Sequence, residues 1–150
     1  MKAMLILAAA LACAATPANA QRFRYLGEGG GLAVLAGDNV TGPSDAREFS
    51  LAVAVGGRTG PKGSNSFIAE MRADCVGGTM QLLSVAAYAG ETALPVEEGP
   101  APASPPEPGT PFHVVYDYVC NGKAPEGAAV WIEGPDAARA YARDRASENL

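Results

Sequence analysis

The pattern of apolar and polar positions is clearest around Gly77-Gly78, which splits two β-favouring runs, residues 65–76 and 79–88. Two such runs joined by a Gly pair predict a β-hairpin, because its tight turn needs positive φ. With Gly77-Gly78 as the turn, Cys75 faces Met80, Ala73 faces Leu82, Met71 faces Ser84, Ala69 faces Ala86 and Phe67 faces Tyr88. These residues share one nearly apolar face, while Glu70, Arg72, Asp74 and Gln81 fall on the other.

Three further strands precede the hairpin. Residues 22–26 alternate, meet the glycine cluster 27–31 and continue into 32–36, which predicts strand, turn and strand. Residues 47–55 form the next, with Phe49, Leu51, Val53 and Val55 on one face and small residues opposite. Residues 90–109 are rich in Pro and Glu and predict an extended, exposed connection. Thr110-Pro111 then opens a segment that ends at Gly122, matching the N-cap, first-turn Pro and terminal Gly of a helix. Its apolar stripe carries Phe112, Val115, Tyr116, Val119 and Cys120. Beyond it come a short apolar run, 130–132, and an Ala/Arg-rich helical segment, 136–148, whose thin apolar side predicts weak docking or fraying.

The first twenty residues change the picture of the cysteines. A basic start, a short apolar run and the small-residue end Ala18-Asn19-Ala20 predict a secretory leader cleaved after Ala20. Cleavage removes Cys13 and leaves Cys75 and Cys120, an even pair that reads as a disulfide in an exported chain. The organisation is then a leader over 1–20, one domain over 21–122 and a partly helical tail over 123–150. The fold class is α+β, an antiparallel sheet of about five strands with a helix tethered by the disulfide to one face.

Net charge is −5, and it falls further when Lys2 leaves with the leader. The basic residues are scattered, which disfavours nucleic acid and anionic surfaces as partners. Neither glycine-rich loop is a nucleotide motif. Leu32 stands where a dinucleotide fingerprint needs Gly, and Pro61 separates Gly60 from Lys62 where a phosphate loop needs Gly-Lys.

Candidate chemistry is sparse. His113 is the single histidine, with Asp117 one helical turn on, and Ser84 is the serine on the expected inward face. One His and a bridged Cys pair cannot build a conventional zinc site. Glu97, Glu98 and Glu107 lie in a loop that would hold calcium only loosely. The reading is a non-catalytic exported binding, adhesion or envelope interaction module acting through its sheet and the Pro-rich loop, without cofactor or metal, with a self-assembling envelope component or a small hydrolase using His113 as alternatives. The candidate binding surface comprises Tyr88, Glu97, Glu98 and Trp131.

Glu70 to Cys75 with its Asp-Cys step, Leu82-Leu83-Ser84-Val85 with Tyr88, and Pro108-Gly109-Thr110 leading to Val119-Cys120 form a set. Over about Phe23 to Cys120 this set resembles the surface-adhesin protein E-like domain family of Gram-negative bacteria. The resemblance implies an antiparallel sheet with a disulfide-tethered helix, and homodimerisation; the leader, for its part, predicts export to the periplasm or the outer cell surface. The resemblance also implies protein partners, host matrix or envelope proteins among them.

Overall fold

The structure is a computed structural model and describes residues 21–57, 59–95 and 99–148. The expected leader, Glu97 and Glu98 lie outside the described residues.

Among the described residues seven strands form one antiparallel sheet: β1 (Arg22–Gly29), β2 (Leu32–Gly37), β3 (Arg47–Val55), β4 (Ser66–Asp74), β5 (Thr79–Ala89), β6 (Thr92–Leu94) and β7 (Trp131–Glu133). Their spatial order is β6-β5-β4-β3-β2-β1-β7, so the first six run as a meander and β7 returns to pair with β1. The two strands beyond the expected five are the three-residue edges β6 and β7.

Helix α1 (Pro111–Asn121) covers one face and helix α2 (Pro135–Glu148) the other. Helix α1 begins and ends where its capping residues dictate. The Thr110 Oγ1 accepts from the His113 N–H, and Gly122 takes the left-handed conformation that closes the last turn at φ 67°. Its Val115 and Val119 pack on Leu26, Val34, Phe49 and Leu51. The Cys75–Cys120 disulfide, with Cα atoms 5.3 Å apart, fastens its last turn to the start of the β4–β5 turn.

Helix α2 is not a weakly docked tail. Ala138, Ala142 and Ala146 are buried against Ala33, Leu35, Ala52 and Ala54. Small residues on both partners let the helix lie close to the sheet. At Gly56 a side-chain carbon would run into the Ala146 carbonyl, so glycine is required there by space alone. The small residues opposite Phe49, Leu51 and Val53 on β3 are therefore a second buried face.

The central hairpin forms, but in a different register. Its turn has four residues, Cys75 to Gly78, with Asp74 opposite Thr79. The Asp74 carboxylate accepts from the N–H groups of Val76 (3.0 Å) and Gly77 (2.6 Å), and Gly78 supplies the positive φ. This side-chain turn competes successfully with a two-residue turn. Farther along, Met71 pairs with Leu82 but Glu70 pairs with Ser84, so Leu83 is an inserted residue. The bulge reverses the expected facing of the far half of β5. Val85 joins the α1 side, whereas Ser84, Ala86 and Tyr88 turn toward the α2 side.

Candidate functional site

Helix α1 lies over β1, β2 and part of β4, and so leaves the β3–β5 side of its face uncovered by helix. The segment 99–110 covers it instead. This segment is extended and mostly exposed, as its prolines predict, and it is also docked along β5. The Ser104 N–H donates to the Met80 carbonyl (2.9 Å), the Met80 N–H to the Ser104 carbonyl (2.8 Å) and the Ala101 N–H to the Leu82 carbonyl (3.0 Å). Gln81 Nε2 adds a bond to the Ala101 carbonyl (3.0 Å). Pro102, Pro105 and Pro106 have no N–H to offer. The contacts fall on the residues between them, and the strap is a strand pinned at its non-proline positions.

Between strap and sheet lies a cavity of about 550 Å3. Its floor is Leu51 and Val53 of β3, Phe67, Ala69 and Met71 of β4, and Met80, Leu82 and Val85 of β5. Leu32 and Phe112 close one side, and the strap supplies the roof. The space is partly open to solvent, and its walls are almost wholly apolar. Among the described residues polar lining comes only from Ser104, Glu107 and Thr110, and Glu107 alone among these is ionisable. Glu107 is exposed at the end of the strap, where its carbonyl accepts from the Thr110 hydroxyl at 2.6 Å.

Of the residues expected to form a binding surface, the two described ones, Tyr88 and Trp131, are not brought together. Tyr88 is on β5 and half-buried beneath α2, while Trp131 is on the opposite edge strand, β7. Trp131 is 37% exposed and flanked by the guanidinium groups of Arg22, 5.0 Å from its ring centre, and Arg24, at 5.3 Å. Arg24 is also held by the Ala128 carbonyl at 2.7 Å.

His113 and Asp117 stand as a half-exposed pair on α1, with Nδ1 and Oδ2 3.7 Å apart. Ser84 pairs with Glu70, whose carboxylate accepts from Ser50 on the α2 side of the sheet. The bulge thus puts Ser84 on the opposite side of the sheet from His113 and Asp117, so Ser84 cannot complete a relay with that pair. Among the described residues no three His, Cys, Asp or Glu side chains converge on a metal position.

Two ionic clusters anchor α2. Arg143 and the buried Arg139 hold the β5–β6 turn. Both donate to the Gly90 carbonyl, at 2.8 and 3.1 Å, and both pair with Glu91. The Arg143 guanidinium keeps the Glu91 carboxyl below its ordinary range. Near the other end, Tyr25 donates to Glu28, which also pairs with Arg145 at 3.2 Å. A bulge at Leu26 makes this possible by bringing Tyr25 and Glu28 onto one face. Burial, and then the bond to Glu28, push the Tyr25 hydroxyl up to about 12.

The docked strap was hidden in the sequence because prolines signal exclusion from a sheet. The available signal was the spacing of Ala101 and Ser104, which place N–H groups between them. No family model, curated protein or solved structure matches this chain, so the similarity to adhesin E-like domains rests on the motifs quoted above.

Proposed function

We propose that this chain is an exported, non-catalytic binding module that holds an apolar small molecule between its sheet and its proline strap. The observation that carries the reading is the 550 Å3 groove, floored by aliphatic, aromatic and methionine side chains. Burying an aliphatic body there is worth roughly 25 cal/mol per Å2 removed from water. Methionines at positions 71 and 80 adapt to the shape of what is bound. The leader-like N-terminus supports export, and a disulfide is compatible with an oxidising compartment. Among the described residues no helix is long and apolar enough to cross a membrane.

The test is a fluorescent apolar probe, N-phenylnaphthylamine, titrated with the purified protein. Enhancement is expected, and Ala69→Trp, which fills the groove floor, should abolish it without loss of the folded state. An equal response in both proteins would overturn the reading.

A second reading, docking of an envelope or host matrix protein, draws on the exposed Trp131 with Val130, also 37% exposed, beside Arg22 and Arg24. It predicts that Trp131→Ala reduces capture of such a partner while probe binding persists. Self-assembly through sheet edges has less support, because β6 and β7 offer three residues each.

A further inference from the structure

Among the described residues the groove is lined almost wholly by apolar side chains, and its one charged side chain is Glu107. This inference rests on the binding reading above. Among the described residues Glu107 is the only ionisable group in the lining, and no Lys or Arg shares it. A bound carboxylate or phosphate head would need a cation or a set of free N–H groups. The nearest set is the start of α1, and it is largely spent: Pro111 has no N–H, and the His113 N–H is taken by Thr110 at 3.4 Å. The same Thr110 fixes the backbone of Glu107 through its hydroxyl. The acidic chain as a whole, at net −5, repels approaching anions as well.

We propose that the groove sorts amphiphiles by head-group charge. It accepts an aliphatic chain bearing an amine or an uncharged head and rejects one bearing a carboxylate, and Glu107 sets this order. The aliphatic body supplies affinity, because the floor contains only apolar side chains. The head supplies discrimination, because it emerges beside an exposed carboxylate. Between an ammonium and an uncharged head of equal chain length, an exposed pairing of this kind amounts to roughly a twofold to fivefold difference in Kd.

Dodecylamine, dodecanol and dodecanoate separate the contributions, since they share one chain and differ in charge. Calorimetric titration at neutral pH and low salt, below micelle formation, is expected to rank amine tightest and carboxylate weakest. Glu107→Gln should bring the amine to the level of the alcohol, and Glu107→Lys should place the carboxylate ahead of the amine. Glu107 is exposed, so both variants should fold. Equal affinities for the three probes, or an order unchanged by Glu107→Lys, would overturn the charge selection while leaving the groove as a binding site. Failure of all three to bind would overturn the groove reading itself. Amine binding that survives in Ala69→Trp would place the contact on the acidic surface and overturn the proposal too.

Discussion

The guanidinium carbon of Arg139 lies 3.6 Å from the centre of the Tyr88 ring, stacked between helix α2 and the end of β5. Arg139 is 1% exposed, yet its ion-pair partners Asp136 and Glu91 are largely in solvent. The contact is therefore mainly one of shape, a planar cation laid on an aromatic face.

That distinction is measurable. Arg139→Ala leaves a hole between α2 and Tyr88 and should cost about 2–4 kcal/mol in urea unfolding. Arg139→Met keeps most of the volume, and Gly90 and Glu91 retain Arg143. It should lie within about 1 kcal/mol of the parent. Equal losses in the two variants would show that the polar bonds dominate.

The disulfide closes a separation of 45 residues and ties α1 to the central turn. Replacing both Cys75 and Cys120 with Ala should lower unfolding stability by about 4 kcal/mol in the chain-entropy model. Denaturant midpoints of the oxidised parent and the double variant test this, and a loss below about 1 kcal/mol would mean that the reduced chain retains structure.

The strap is held to β5 by few bonds, and Ser104→Pro removes the donor to the Met80 carbonyl. The lost bond is worth about 1 kcal/mol. Limited proteolysis should cut residues 95–106 faster in this variant, and N-phenylnaphthylamine should bind more weakly. The melting temperature of the core should change little.

The pH dependence follows from Tyr25. Its hydroxyl, ordinarily at 10.0, is pushed up to about 12 by burial and by the bond to Glu28, so the folded chain holds this proton more tightly than the unfolded one. The stabilisation is complete below pH 10 and is lost as pH rises through 12. Tyr25→Phe lacks that dependence, so the stability difference between parent and variant should shrink across this window. Denaturation midpoints measured through it decide the matter, and a constant difference would exclude the linkage.

What the sequence made legible was local. Thr110, Pro111 and Gly122 bound α1 because capping is decided within a few residues, and the alternation of 47–55 marks β3 correctly. What it concealed depends on partners distant in the chain. The alanines of α2 look too small to anchor a helix until they meet Ala52 and Ala54, where smallness permits close approach. The bulge at Leu83 cannot be read from β5 alone, since Ser84 and Val85 suit either phase until the sheet's two covers are known. The groove was missed for both reasons, because its roof is a proline run and the phase that puts Val85 in its floor shows only in the pairing with β4.

The bulge also frees curvature from patterning. Taking Leu83 out would leave every other side chain of β5 on the side it occupies now, since the alternation on either side of the insertion already agrees with β4. Only the added local bend and twist would go. A chain shortened by that one residue would keep both helix-bearing surfaces and lie flatter beneath the strap. The hollow's depth and the identity of its walls are thus separately adjustable by mutation.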